Sequence, residues 1–199
     1  MKVIAITGGI GSGKSMVAGY LSKKGYPVYS ADIRSKDILL QDSIRLKITS
    51  LLGYEAYDKQ KGNYRINREY IASKIFSNDK LRKQMEAIVH PAVRIDFENW
   101  IDQQQCELIF QESALVLASK TPYPFDAVIY IDADLDKRIE MIMKRDQSSR
   151  EHILKRIIAQ PQLEDHIEQI DYLIYNKYDN SLFLELDALI DDLKNTMNE

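Results

Sequence analysis

The residues of this chain whose types and spacing promise chemistry are Gly8-Gly9-Ile10-Gly11-Ser12-Gly13-Lys14-Ser15. They fit G-x-x-x-x-G-K-[ST], the glycine loop that cradles nucleotide phosphates. Gly8, Gly11 and Gly13 let the backbone curl so that its N–H groups face phosphate oxygens. A helix starting at the loop adds its positive N-terminal end. Lys14 has the reach to touch β- and γ-phosphates, and the Ser15 hydroxyl is a ligand type suited to Mg²⁺. A glycine-rich turn that binds nothing would fit the same pattern, so the flanks decide. Residues 2–7 form an apolar run of strand type, and Val17, Tyr20 and Leu21 recur at helical spacing within 14–24. Strand, loop and helix together predict a phosphate site.

A phosphoryl transfer to a hydroxyl also needs a carboxylate that orients and deprotonates the nucleophile. Asp32 in Ser30-Ala31-Asp32 is the candidate, at the end of a second strand-like run. The same residue would serve as N-cap of a helix opening at Ile33. Further along, the spacing of Arg138 and Arg145 puts both on one helix face, apart from the apolar stripe of Leu135, Ile139 and Ile142. Ser148-Ser149-Arg150-Glu151 reads as a capping box with Ser148 as cap. The helix it starts carries Ile153, Leu154, Ile157 and Ile158 beside Arg150 and Arg156. An arginine-rich helical hairpin next to a phosphate loop is expected to close as a lid over ATP and neutralise moving charge. Without the loop it would be an ordinary solvated basic face.

Elements must hold these groups. Strand-like runs cover 3–7, 26–30, 107–111, 127–131 and 172–175, with helical patterns between them. Alternating strands and helices predict an α/β fold, a parallel sheet of five strands covered on both faces. Such a sheet binds ligands at the carboxyl ends of its strands, where the glycine loop and Asp32 both fall. The stretch between the second and third runs is too long for one crossover helix, so an all-helical insertion is expected. Ile38, Leu39, Leu46, Leu51 and Leu52 suggest one helix in it, and Ile71, Ile75 and Phe76 a second. Leu81, Met85, Ile88 and Val89 suggest a third that breaks at His90-Pro91. Residues 53–67 are polar and turn-rich and read as a loop. Arg68, His90 and Arg94 are the polar candidates for holding the phosphoryl acceptor.

Bulk properties narrow the class. The chain has 199 residues, 45% of them hydrophobic and 29% charged, enough for one domain with an insertion. A net charge of -3 offers no excess of positive charge for a nucleic-acid partner. The single cysteine, Cys106, permits no intrachain disulfide, suits a reducing cytosol and reads as an ordinary semi-buried thiol. No leader pattern opens the chain and no apolar run is long enough to span a bilayer. The expectation is a cytoplasmic protein acting on small molecules, a monomer or small homo-oligomer with no membrane partner.

Taken together, the motifs resemble the dephospho-CoA kinase family, nearly end to end. The resemblance rests on Ile6-Thr7-Gly8-Gly9-Ile10-Gly11-Ser12-Gly13-Lys14-Ser15, on Ser30-Ala31-Asp32 at that family's Asp-Ala-Asp, and on His90-Pro91 with Arg94 beyond. Arg145-Asp146, Arg150-Glu151 and the stretch from Arg156 to Gln160 are similar to its lid segment, and Asp171-Tyr172-Leu173-Ile174-Tyr175-Asn176 to its closing strand. Three departures stand out. Ser30 replaces the first aspartate. Arg34 and Lys36 stand near, but out of register with, an arginine of the family. Ala114-Leu115-Val116-Leu117-Ala118 lacks the proline and glutamate of Pro-Leu-Leu-x-Glu, with Glu112 upstream. The resemblance implies a P-loop kinase fold: core 1–33, 105–135 and 161–199, an acceptor-binding helical insertion over about 34–104 and a lid over about 136–160. It implies transfer of the ATP γ-phosphoryl to the ribose 3′-hydroxyl of dephospho-CoA, the last step of coenzyme A synthesis, with Mg²⁺. Gly9, Ile10, Gly11, Ser12, Gly13, Lys14, Ser15, Met16 and Asn176 would hold ATP, and Ser15 the metal. Asp32, Lys14, Arg138 and Arg145 would be catalytic, and Asp32, Arg68, His90 and Arg94 would meet the acceptor. Two rivals differ in substrate or class. One is another small-molecule P-loop kinase, for a nucleotide or shikimate. The other is a GTP switch, favoured by Asn176-Lys177-Tyr178-Asp179 as Asn-Lys-x-Asp but opposed by the absence of any Asp-x-x-Gly.

Overall fold

The computed structural model describes residues 1–60, 62–76, 78–117 and 123–195. In chain order the elements are β1 (Lys2–Thr7), α1 (Lys14–Lys23), β2 (Val28–Ser30), α2 (Ala31–Ile38), α3 (Asp42–Leu52), β3 (Tyr57–Gln60), β4 (Asn63–Ile66), α4 (Arg68–Phe76) and α5 (Asp79–Ile101). They continue as β5 (Leu108–Glu112), β6 (Ala127–Asp132), α6 (Leu135–Asp146), α7 (Arg150–Ile158), β7 (Tyr172–Tyr175) and α8 (Ser181–Asn195). The chain divides into two compact units, Met1–Ser30 with Gln104–Glu199, and Ala31–Gln103.

The first unit is built on a five-stranded sheet in the order β2-β5-β1-β6-β7, parallel throughout. All five strand-like runs of the sequence appear in it, with boundaries shifted by a residue or two. Central strand β1 is a nearly continuous buried run, as a sheet covered on both faces demands. On one face Ile4 and Ile6 pack with Val17 and Leu21 of α1 and with Leu182, Leu186 and Ile190 of α8. Residues of the opposite pleat, Ala5 and Tyr130, pack with Val116 and Leu117. Ile4 and Ile6 are fully buried, and each such side chain contributes about 1.5–3 kcal/mol of hydrophobic stabilisation. The parallel register brings Thr7, Ser30 and Glu112 to the same end of the sheet, with Ile6 beside Glu112 and Ser30 beside Glu112.

The second unit has its own core: Ile38, Ile44, Ile48, Leu52, Ala56, Tyr57 and Ile71. It departs from the sequence expectation in three places. The single helix expected through Ile38–Leu52 is two, α2 and α3, with an extended residue at Gln41. Both halves line the same core, so apolar spacing runs through the break, and the Tyr57 hydroxyl donates to the Leu39 carbonyl exposed there. The expected loop at 53–67 is a short 3₁₀ turn (Tyr54–Ala56) followed by the antiparallel hairpin β3–β4, so the unit is not all-helical. Tyr64 and Ile66 alternate inward with Tyr57 opposite, a period-2 signal too short to stand out among polar neighbours. Finally, α5 runs unbroken through Pro91. Proline removes one ladder bond at a cost of about 3 kcal/mol. Packing of Met85, Ile88, Val89, Ala92 and Val93 on both sides of it against this core offsets that loss.

Two smaller expectations also change. Cys106 is exposed, not semi-buried, because it sits in the polar connection between α5 and β5. Asp32 is not an N-cap: α2 starts at Ala31, which puts Asp32 inside the first turn. Among the described residues no helix is long and apolar enough to cross a membrane.

Candidate functional site

The loop between β1 and α1 lies wholly within the first unit, and its geometry follows from its glycines. Gly13 holds a left-handed φ of 105° just before the helix, and a methyl group there would overlap the Asn176 side-chain amide. Gly9 is small for a different reason. A methyl group at Gly9 would overlap the guanidinium of Arg138, so this glycine makes room for an arginine that arrives from α6. The helix that follows opens on the loop with no side-chain cap, and the amides of Met16 and Val17 turn back to the Gly13 carbonyl. Among the described hydrogen bonds, none comes from the amides of Gly11, Gly13 or Ser15, the donors an anion at a helix N-terminus would take up.

The loop carbonyls from Gly9 to Ser12 are all engaged. The Lys14 Nζ donates to Gly9 O at 2.9 Å, the Arg138 Nε to Ile10 O at 3.0 Å, the Tyr178 hydroxyl to Gly11 O at 2.9 Å and the Asn176 Nδ2 to Ser12 O at 2.8 Å. The Ile10 amide donates to Gln160 Oε1 at 2.7 Å and the Ser12 amide to Gly9 O at 3.1 Å. With carbonyls bound outward and several amides unspent, the loop presents donors to its concave side. Ser12 Oγ is fully buried without a partner, a polar atom that a bound phosphate or water would satisfy. Lys14 is buried, Ser15 and Met16 are exposed, and Ser15 makes no described side-chain hydrogen bond. No group of three or more His, Cys, Asp or Glu residues among the described residues could hold a metal ion. The donor set fits a Mg²⁺ carried by nucleotide phosphates with the Ser15 hydroxyl as a protein ligand, since this ion keeps waters and phosphate oxygens in its shell.

Helices α6 and α7 form the arginine-rich hairpin, closed by Ile139, Ile142, Ile153 and Ile157, with Ile10 of the loop packed against them. The capping residue of α7 is Ser149, which accepts from the His152 amide, not Ser148, whose hydroxyl turns to the Asp146 carbonyl. The left-handed residue Gln147 ends α6 late enough to shift the cap by one. Arg138 reaches the loop. Arg145 does not: it is paired with Asp146, which also accepts from Arg156 at 2.8 Å. Hydrogen bonds from Arg145 and then Arg156 hold the Asp146 carboxyl well below the usual carboxylate range. Burial pushes the Tyr178 phenol up from its ordinary value.

Asn176, at the end of β7, is fully buried, and both ends of its amide are committed, one to Ser12 and the other to the Tyr178 N–H at 2.7 Å. It braces the loop through the backbone. Asp179 of the Asn-Lys-x-Asp string is spent on Ser181 at the start of α8. At the ends of β2 and β5, Ser30 donates to the buried carboxylate of Glu112 at 2.6 Å. The serine that departs from the Asp-Ala-Asp pattern thus meets the glutamate that lies upstream of the altered Pro-Leu-Leu-x-Glu segment. Of that segment Val116 and Leu117 are core residues, and Ala118 lies outside the described residues.

The remaining candidates belong to the second unit. Asp32 is exposed in the first turn of α2, and its carboxylate accepts no described hydrogen bond. Arg34 is held by both oxygens of Asp96, at 2.8 and 2.6 Å. Arg68 opens α4, and His90 and Arg94 lie a turn apart on α5, all three exposed. Arg94 pairs with Glu98 at 2.9 Å. No described contact brings Arg68, His90 and Arg94 together. Sequence reasoning missed Gln160, Tyr178 and the role of Gly9. Gln160 lay within a segment already read as lid, whereas Tyr178 carried no signal beyond the Asn-Lys-x-Asp string around it.

The model of the dephospho-CoA kinase family matches residues 2–181. A dephospho-CoA kinase of Bacteroides fragilis is 33% identical over 189 residues, 94% of this chain and 90% of that protein. One of Porphyromonas gingivalis is 39% identical over 163 residues, 80% of this chain and 78% of that protein. Among solved structures, a Thermus thermophilus protein aligns with a TM-score of 0.82 at 28% identity, covering 96% of this chain and 97% of that one. The dephospho-CoA kinase from Campylobacter jejuni aligns with a TM-score of 0.63 at 23% identity over 96% of both chains. A shikimate kinase from Acinetobacter baumannii gives 0.53 at 12% identity, covering 98% of this chain and 94% of that one. The last two likenesses concern the fold, which is that of the P-loop kinases.

Proposed function

The chain belongs to the dephospho-CoA kinase family, and from that premise we propose that it transfers the γ-phosphoryl group of ATP to the ribose 3′-hydroxyl of dephospho-CoA. Transfer to dephospho-CoA completes coenzyme A biosynthesis. The observation that carries this reading is the glycine loop: unspent amides at the start of α1, with every carbonyl from Gly9 to Ser12 taken by a side chain.

The division of labour follows from the donors. Amides of the loop and the Lys14 ammonium bind β- and γ-phosphate oxygens. Met16 continues the first turn of α1 behind the phosphates. The Ser15 hydroxyl would hold Mg²⁺, which when bound supplies positive charge to the phosphate oxygens. Asp32, exposed and with a carboxylate that accepts no described hydrogen bond, takes the proton from the 3′-hydroxyl. The 3′-oxygen forms a bond to the γ-phosphorus, the bond to the β,γ-bridging oxygen breaks, and ADP leaves with that electron pair. Arg138, already at the loop, stabilises charge on the moving group. Arg145 exchanges Asp146 for phosphate oxygens as the α6–α7 hairpin closes as a lid. Arg68, His90 and Arg94 in the unit Ala31–Gln103 receive the acceptor, and Asn176 supports the nucleotide side of the loop. The enzyme would work in the cytoplasm as a monomer or small homo-oligomer, with ATP and dephospho-CoA as its partners and no nucleic acid.

ADP release measured against a panel of acceptors tests the reading. Dephospho-CoA is expected to turn over fastest. Faster phosphorylation of AMP or shikimate would refute the substrate, and tight GTP binding without ATP-dependent transfer would refute the enzyme class.

A further inference from the structure

The peptide planes of the phosphate loop are pinned in an alternating pattern. The Gly9–Ile10 plane is held at both ends, its carbonyl by Lys14 and the Ser12 amide, its N–H by Gln160. The Ile10–Gly11 plane is held through its carbonyl by Arg138, which leaves the Gly11 N–H unspent. The Gly11–Ser12 plane is again held at both ends, its N–H by the Gly9 carbonyl and its carbonyl by the Tyr178 hydroxyl. The Ser12–Gly13 plane is held through its carbonyl by Asn176, which leaves the Gly13 N–H unspent. Tyr178 therefore grips the plane that lies between the two that offer donors.

We infer that Tyr178 is a positioning residue of the ATP phosphate site, acting by fixing the Gly11–Ser12 peptide plane so that the flanking Gly11 and Gly13 amides aim at phosphate. A second observation supports the role. Tyr178 has a φ of 62°, a left-handed conformation that a bulky side chain rarely adopts. Two bonds hold it there: its N–H to Asn176 Oδ1 at 2.7 Å and its hydroxyl to Gly11 O at 2.9 Å. A strained residue over-determined by bonds to a ligand loop is a recurrent feature of functional sites. The bond from the hydroxyl to Gly11 O is partly buried, and losing a donor there leaves that carbonyl less well satisfied. Asn176-Lys177-Tyr178-Asp179, which reads as a guanine-recognition string, here serves the phosphate loop through Asn176 and Tyr178.

The inference rests on the loop being the ATP site, and the test separates the two. Tyr178→Phe keeps the ring and deletes the hydroxyl. Its dissociation constant for MgATP is expected to rise about fivefold to tenfold, the fold-change expected for one lost hydrogen bond. The KM for ATP should rise with it, while the KM for dephospho-CoA stays within about twofold of the parent, a split that general loss of structure would not produce. Tyr178→Asn, whose side chain tolerates the left-handed conformation, should show the same selective loss and guards against a folding defect in the first variant. Lys14→Ala serves as the control for the site. If Lys14→Ala loses ATP binding while Tyr178→Phe binds MgATP within about twofold of the parent, the role of Tyr178 is refuted. If Lys14→Ala binds ATP normally, the phosphate-site reading falls and takes the inference with it.

Discussion

Asn176 offers the sharpest test of how the loop is held. Its side chain is fully buried, donates to Ser12 O at 2.8 Å and accepts from the Tyr178 N–H at 2.7 Å. Asn176→Ala strands both partners. A buried polar group left without its partner costs about 1–3 kcal/mol. Ser12 is fully buried, so its carbonyl belongs in the upper half of that range; Tyr178 is only half-buried, so its amide belongs in the lower half. The sum is about 3–5 kcal/mol, and for a chain of this size each kcal/mol lowers Tm by roughly 2–4 °C, so the expected loss is about 6–20 °C. Asn176→Asp is the discriminating variant. It keeps shape and volume and still accepts from Tyr178, but a carboxylate oxygen now faces the Ser12 carbonyl. At pH 7 it should melt at least as low as the alanine variant. Burial and this repulsion would raise the carboxyl pKa in the folded state above the unfolded value of about 3.9. The deficit is therefore full at high pH and shrinks as pH falls through the folded pKa, where the protonated group regains a donor. Thermal denaturation followed by circular dichroism, without nucleotide, between pH 5 and 8 reads both effects. An aspartate variant that melts within about 2 °C of the parent at pH 7 would refute the reasoning, because packing alone would then explain the site.

The remaining expectations concern catalysis and the lid. Asp32→Asn should retain ATP binding but lose about a hundredfold or more in kcat, the scale of a missing general base; near-normal turnover would remove Asp32 from that role. Gly9→Ala should fold, because the group its methyl meets is the end of a flexible arginine, yet displace Arg138 and lower kcat/KM about tenfold or more. An unchanged kcat/KM would show that Arg138 acts without its present approach to the loop. The Asp146 carboxyl is depressed by Arg145 and Arg156, so the stability it adds is fully present above the unfolded pKa of about 3.9 and is lost as pH falls from there through the lower folded pKa. The difference in Tm between the parent and Asp146→Asn should be constant from pH 7 to 5 and narrow below about pH 4; a difference that already narrows near pH 6 would contradict the ion cluster.

Much of the core was legible because its signals are local. An apolar run, a glycine loop and a helical stripe within the first two dozen residues place Lys14 and Ser15 without any knowledge of the rest of the chain. The five parallel strands were visible for the same reason, since runs buried on both faces need no partner to be recognised. Local reading failed where packing outweighed propensity. Pro91 should have ended α5, but apolar residues on both sides of it shared one core. The apolar spacing through Leu39 hid a break because both helices lined that same core. The β3–β4 hairpin alternated over too few residues to be told from a polar loop.

By itself the sequence determined where the glycine loop lies and which lysine and serine stand on it, because glycine, lysine and serine at fixed spacing act through their own backbone and their immediate neighbours. Only the tertiary structure decided what holds that backbone. Arg138, Gln160, Asn176 and Tyr178 reach the loop from 128 to 167 positions away. No periodicity carries such a pairing: a carbonyl in a short loop accepts a bond from any donor that chain crossing delivers, and the crossing is settled by how the whole sheet and its helices pack.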